Sequence, residues 1–316
     1  MVKMRGILLE ENNARIVETD VPKPGRDEVL VKTKACGICM GEVYVFQGKL
    51  PGGKIMGHEG VGIVVQVGDG VKEVGPGDRV TTLGGPAFAE YYKTNKWNVA
   101  KIPEEVPERD LIYWISEPLA CAVTGIKGSN IQIGDKVCII GCGYMGLLLI
   151  QLIPKDIVGE LIAIDIRDKC LDLARRFGAR YTLNPLKSDV AKETRKILGG
   201  EADIVIEASG APGTIYLATE IVRRGGRLVI FGRHVVDEKV PTEEWHVKGL
   251  TILNTSPSFS NNFNKDFFDA VNLLKRGVVD QRPLITHIFP YTKAQEAFEL
   301  ASRKPLDYIK GVLVFS

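Results

Sequence analysis

The chain has 316 residues, of which 45% are hydrophobic and 25% charged, ordinary for a soluble globular protein and long enough for two domains of ~100–200 residues. Lys and Arg number 41 against 39 Asp and Glu, a net charge of +2; this balance argues against a nucleic-acid or membrane-surface protein, which needs a concentrated basic face. The 34 glycines exceed the ~7% average without a collagen-like period, and predict many tight turns and close backbone approaches.

The opening MVKMRGILLEENN has no apolar stretch of the ~7–15 residues that a secretory leader needs. The first third reads as β structure. Short apolar runs such as Glu28–Thr33 and Val61–Val67 are cut by Pro and Gly, and Gly70–Val80 carries turn signals every few residues, a pattern that suits a compact barrel-like domain. Within it, Cys36-Gly37-Ile38-Cys39 is a C-x-x-C with no second pair, so a four-cysteine zinc site is unsupported. Gly57-His58-Glu59-Gly60 then sets an imidazole beside a carboxylate. One thiolate, one imidazole and one carboxylate suffice for a catalytic zinc with an open position; the same spacing equally fits buried cysteines and a core histidine.

From about Ile131 the pattern changes. Apolar runs at Lys136–Ile140, Leu161–Ile166, Asp203–Ser209, Arg227–Gly232 and Leu250–Thr255 alternate with helical periods. In one of these, Leu171, Ala174 and Phe177 recur at three-residue steps before Gly178. Such alternation predicts an α/β domain with a doubly wound parallel sheet. The longest uncharged run, Val137 to Pro154, falls short of a ~20-residue membrane span and is broken by glycines. Those glycines form a G-x-G-x-x-G, Gly141-Cys142-Gly143-Tyr144-Met145-Gly146, after a buried strand and before a helical run, with Asp165 about 20 residues beyond at a strand end. Gly141, Gly143 and Gly146 then allow a tight turn and close approach of a pyrophosphate at the start of the helix that Tyr144 and Met145 open. Asp165 would accept from the adenosine ribose hydroxyls. A carboxylate there repels a ribose 2′-phosphate and favours NAD, while Arg167 and Lys169 act in the opposite sense. Pro154 should end or kink the helix. Ser209-Gly210, Phe231-Gly232 and Thr255-Ser256 end strands, where such sheets bind ligands. A last helix, Asp266–Arg276, leads to Leu284–Phe289 and a tail ending in KGVLVF. Six cysteines without a disulfide-like spacing point to the reducing cytoplasm.

The run Cys36–Val80 continues through FAEYY (Phe88–Tyr92) and SEPLACAVTG (Ser116–Gly125) into the glycine loop, and the chain closes with Ile285–Glu299. Over nearly its whole length it resembles the zinc-dependent medium-chain dehydrogenase/reductase (alcohol dehydrogenase) family, and the Glu-Pro-Leu-Ala segment is similar to the sorbitol and threonine dehydrogenase branch. The resemblance implies a GroES-like catalytic domain over residues 1–120, an NAD-binding Rossmann domain over 121–283 and a return of 284–316 to the catalytic domain. It also implies one catalytic zinc, NAD, and hydride transfer from a secondary alcohol of polyol, inositol or hydroxy-amino-acid type, by a homo-oligomer, dimer or tetramer. On this resemblance Cys39, not Cys36, is the zinc thiolate, and Glu42 holds an acid position where the family usually has Asp. His58 is the imidazole ligand, Glu59 the carboxylate on or beside the metal, and Glu117 a further carboxylate with Cys121 as its rival.

Two departures from the family stand out. Only TTLGGPA (Thr81–Ala87) stands where the four-cysteine lobe belongs, so the structural zinc is absent. Gly41 and Tyr44 occupy the hydroxyl and histidine positions of the usual proton relay. Glu117 is then the candidate proton acceptor, while Tyr44 lines the pocket or contributes its phenol. His287 reads as structural, followed by Ile288 where the polyol branch often has Arg. Two other functions compete: a zinc-free quinone or enoyl reductase on the same fold, and a non-catalytic nucleotide-binding redox sensor using Cys36 and Cys39.

Overall fold

The computed structural model describes residues 2–316. They form two compact units, residues 2–120 with Phe267–Ser316, and Cys121–Asp266. The second junction lies earlier than residue 283. Helix Phe263–Lys275 runs across it and buries Phe267, Ala270 and Val271, so a segment whose period looks like one more cofactor-domain helix is divided between the units.

The first unit is built on a seven-stranded sheet. Ile285–Pro290, Lys310–Val314, Glu28–Gly37, Gly60–Val67, Arg79–Thr82 and Val99–Lys101 lie side by side in that order, and Tyr91–Asn95 also pairs with Glu28–Gly37. Glu28–Gly37 organises the sheet because Val29, Val31, Ala35 and Cys36 are all fully buried. The chain's last strand pairs with it antiparallel, setting Val312 opposite Gly37 and Leu313 opposite Cys36. A three-stranded sheet, ordered Asn13–Asp20, Lys3–Glu10, Lys54–Ile55, sends Ile7 and Leu9 into the same core as Phe88, Phe298 and Leu313. After Arg79–Thr82 the chain turns through Gly84 and Gly85, both at positive φ, directly toward Phe88.

The second unit is a six-stranded parallel sheet in the order Tyr181–Leu183, Glu160–Ile164, Lys136–Ile140, Ala202–Glu207, Val222–Ile230, Thr251–Asn254. Chain order reverses beside Lys136–Ile140, which makes the crevice there the topological switch point of a doubly wound fold. Val137, Cys138 and Ile139 are fully buried, as the continuous apolar runs of a parallel sheet with both faces covered require. Helix Asp168–Arg176 turns Cys170, Leu171 and Ala174 inward, and Gly178 at φ +102 follows its end. Pro154 ends the cofactor helix rather than kinking it. That helix spans Tyr144–Leu152, and Ile153 is extended at ψ 126, the conformation that a following proline imposes. Among the described residues no helix is long and apolar enough to cross a membrane, and all six cysteines are free.

The three glycines of the loop are needed for different reasons. Gly141 has φ +95, a turn conformation that L side chains rarely adopt. A Cβ added at Gly146 would stand 1.9 Å from the Gly141 carbonyl oxygen, so the helix approaches the strand only because no side chain intervenes. At Gly143 the nearest atom to an added Cβ is Arg167 Nη2, 3.5 Å away, which leaves space above the loop. Gly146→Ala should therefore cost ~1–3 kcal/mol, the usual scale of overpacking, and lower the midpoint of urea denaturation. An unchanged midpoint would show that the helix yields without penalty.

Candidate functional site

In the first unit the side chains singled out as metal ligands converge. Cys39 is the N-cap of helix Met40–Phe46, and its Sγ accepts from Gly41 N–H at 3.4 Å. Glu42 closes a capping box, its Oε2 accepting from Cys39 N–H at 3.0 Å. His58 follows Gly57, whose φ of +93 brings its backbone against Phe88. Glu59 stands next to it at the entry to Gly60–Val67. The ligand atoms of Cys39, His58 and Glu59 all lie within 4.8 Å of one another, the one such cluster among the described residues. Glu117, at the start of helix Glu117–Ser129, places Oε2 3.9 Å from His58 Nε2. Cys36 is turned into the core, and its Sγ donates to the Gly37 carbonyl at 3.6 Å. Tyr44 carries the Lys49 ammonium 5.4 Å from its ring centroid. Cys121 lies one helical turn beyond Glu117 and is half-buried.

Two further charged residues complete the cluster. Glu42, only 1% exposed, sets Oε1 2.6 Å from His58 Nδ1, so it orients the ring and leaves Nε2 toward Glu117. Lys310, from the last strand, places Nζ 2.6 and 2.8 Å from the two Glu59 oxygens and donates to the Ile38 carbonyl at 3.0 Å. Glu42 was legible through the resemblance, as the acid three residues after Cys39, while its contact with His58 was not; nothing in the tail marked Lys310.

Charge balance shows what the cluster accommodates. Burial pushes the Cys39 thiol up, the His58 hydrogen bond opposes this, and the Glu42 and Glu59 charges add to the rise. Burial would lower His58, but the Glu42 carboxylate, the hydrogen bonds that the ring donates to Cys39 and Glu42, and the Glu117 charge outweigh it and hold the imidazole well above its ordinary value. Protons on the thiol and imidazole thus stand where a divalent cation would displace them. A thiolate, an imidazole and carboxylates form a donor set that suits zinc. The residues fit the metal.

In the second unit the glycine loop, the end of Glu160–Ile164 and the Ser209-Gly210 loop meet. An added Cβ at Gly141 would touch Ser209 at 2.7 Å. Gly143 and Met145 are partly exposed, while Gly141, Tyr144 and Gly146 are buried. Asp165, 8% exposed, accepts from Cys142 N–H at 2.7 Å, and Arg167 pairs with it through its backbone N–H at 2.9 Å, Nε at 3.0 Å and Nη2 at 3.2 Å. Asp165 and Arg167 are therefore one ion pair beside the loop, rather than separate charges acting on a cofactor. Phe231 and Gly232 donate their N–H groups to the Glu207 carbonyl, each at 2.8 Å. Open space above Gly143 and the close packing at Gly141 and Gly146 fit a dinucleotide pyrophosphate.

Comparison with known proteins agrees with both units. A family model described as alcohol dehydrogenase GroES-like domain matches residues 25–104, and one described as zinc-binding dehydrogenase matches residues 145–276. The L-threonine 3-dehydrogenase of Caldanaerobacter subterraneus subsp. tengcongensis is 32% identical over 92% of each chain. A crystal structure of an alcohol dehydrogenase from Escherichia coli CFT073 complexed with NADH is 26% identical, with a TM-score of 0.87 over 99% of each chain. A zinc-binding dehydrogenase from Sinorhizobium meliloti 1021 bound to NADP is 25% identical, with a TM-score of 0.86 over 100% of each chain. The likeness runs through the whole chain, which belongs to the zinc-type medium-chain alcohol dehydrogenase family.

Proposed function

We propose that this alcohol dehydrogenase interconverts a secondary alcohol and its ketone with NAD, using a single zinc held by Cys39, His58 and the carboxylates Glu59 and Glu117. The observation that carries this reading is the convergence of Cys39, His58 and Glu59 within 4.8 Å. When bound, zinc supplies a Lewis acid for the substrate oxygen and the nicotinamide ring supplies the hydride acceptor.

The chain's own residues do the rest. Gly41 N–H donates to the Cys39 sulfur and favours the thiolate. Glu42 holds His58 by Nδ1 and so directs Nε2 to the ligand position, as an outer carboxylate does for a metal-bound histidine. Lys310 balances the Glu59 charge. Gly41 cannot relay a proton, so Glu117 accepts the one released by the alcohol. Gly141, Gly143, Tyr144, Met145 and Gly146 receive the dinucleotide phosphates. Asp165 and Arg167 meet the adenosine ribose, and Ser209, Gly210, Phe231 and Gly232 line the other half. Among secondary alcohols, the name of the Caldanaerobacter relative favours a hydroxy-amino-acid. Six free thiols suit a reducing cytoplasm, and a homo-oligomer follows from the family resemblance. The test of the reading is nicotinamide reduction followed across polyols, inositols, simple secondary alcohols and L-threonine; no turnover with any of them would reject it.

Three outcomes follow from the site. Elemental analysis of protein purified without chelator should find one zinc per chain, because Thr81–Ala87 carries no cysteine; two would contradict the missing lobe. Glu117→Gln should lower kcat by ~100-fold or more, the scale of acid–base assistance, whereas Cys121→Ser should leave zinc content and rate nearly intact. Zinc lost with Cys121→Ser and activity kept with Glu117→Gln would exchange their roles. Asp165→Ser releases Arg167 from its carboxylate and should shift the kcat/KM ratio toward NADP by roughly tenfold, the worth of one charge-assisted contact. An unchanged ratio removes Asp165 from the ribose site.

A further inference from the structure

We propose that His234 is a positioning residue for the nicotinamide half of the dinucleotide site, clasping the loop after strand Val222–Ile230 to the buried end of strand Ala202–Glu207. The inference rests on the dinucleotide reading above.

Its centre is Glu207, a fully buried carboxylate that ends its strand. Oε1 accepts from Ser209 N–H at 2.9 Å, Ser209 Oγ at 2.5 Å, Gly210 N–H at 3.0 Å and Thr214 Oγ1 at 2.9 Å. Its backbone carbonyl accepts from Phe231 and Gly232. The remaining oxygen, Oε2, faces His234 Nε2 at 3.0 Å. The other ring nitrogen, Nδ1, lies 2.5 Å from Glu238 Oε1, and Glu238 Oε2 accepts from Gly213 N–H at 3.1 Å. One imidazole thus joins two carboxylates, each of which also binds the loop following Glu207.

The two loops interlock as well as bond. A Cβ on Gly232 would stand 2.4 Å from both Glu207 Oε2 and Gly210 N, and one on Gly210 would stand 2.7 Å from the Arg233 carbonyl. Glycine brings the backbones together, and His234 closes the ring of contacts from outside. Without the imidazole, a buried carboxylate oxygen loses its partner, which is costly, and the Phe231–Val240 segment loses its side-chain tie to Glu207.

Strand order says which half of the ligand feels this. Asp165 and Arg167 end the strand on one side of Lys136–Ile140, while Glu207 and the His234 loop end the strands on the other. A doubly wound sheet binds one mononucleotide on each side of that crevice. His234 therefore governs the nicotinamide side and leaves the adenosine side alone, without touching the reacting ring.

The test uses the full-length protein and two probes, NADH and ADP, titrated calorimetrically. His234→Leu should weaken NADH by roughly tenfold, the loss of one charge-assisted hydrogen bond, and change ADP by less than about twofold. Glu238→Gln, at the outer end of the clasp, should shift the same ratio in the same direction by a smaller factor, and it decides the matter alone if His234→Leu does not fold. Equal losses for both probes, or unchanged NADH binding, would overturn the proposal. If the unmodified protein binds neither probe, the dinucleotide reading itself falls, a result separate from any effect of His234.

Discussion

Glu59 and Lys310 meet in the interior of the first unit, 2% and 4% exposed, with the ammonium 2.6 and 2.8 Å from the two carboxylate oxygens. A buried ion pair adds little net stability over an apolar pair, but removing one partner costs ~3–5 kcal/mol because the other charge is stranded. The pair also fixes geometry. Lys310 donates to the Ile38 carbonyl, and Ile38 N–H donates to the Gly311 carbonyl, so the final strand grips the C-x-x-C segment from both sides. Gly37 makes this possible, since a Cβ there would stand 1.9 Å from Glu59 Oε2. Placement of Cys39 thus depends on residues at the far end of the chain.

The second unit repeats this logic at its strand ends. A parallel sheet directs its strands' carboxyl ends into loops whose N–H groups have no ladder partner and must be satisfied otherwise. Here carboxylates do it. Asp165 takes Cys142 and Arg167 N–H groups, and Glu207 takes those of Ser209 and Gly210. Charge-assisted bonds of this kind are short and strong, and they hold the rim of the crevice in shape before any ligand arrives. The side chains that partner these carboxylates, Arg167 and His234, lie on the same rim.

What the sequence made legible was what depends on local chemistry. Alternating apolar runs and helical periods identified the α/β sheet because parallel strands covered on both faces are continuously apolar. Pro154 and Gly178 marked helix ends through φ restrictions that act over one or two residues. Cys39, His58, Glu59 and Glu117 stood out through spacing and resemblance, and the structure brings the first three within mutual reach. Long-range pairing stayed hidden. Lys310 lies 251 positions from Glu59 in an apolar tail, where a lysine looks like a surface residue. His234 is 27 positions from Glu207, in a loop without periodicity. The junction at Asp266 escaped for another reason: the period of Phe263–Lys275 identifies a helix but not the unit that each of its turns belongs to.

The glutamate at position 42 has a local explanation of the same kind. In a capping box the N3 side chain must reach back to the N-cap N–H, a span that Glu and Gln cover. Glu42 does so with Oε2, at 3.0 Å from Cys39 N. Its other oxygen is then carried past the helix start to His58 Nδ1, 2.6 Å away. One side chain therefore secures the backbone of Cys39 and the ring of His58 together. An aspartate, shorter by one methylene, would have to give up one contact or draw the helix toward His58. Helix Met40–Phe46 is packed through Val43, Val45 and Phe46 into the main core, so that shift would compress side chains already at close packing. Within this packing, glutamate is the acid that reaches Cys39 and His58 at once.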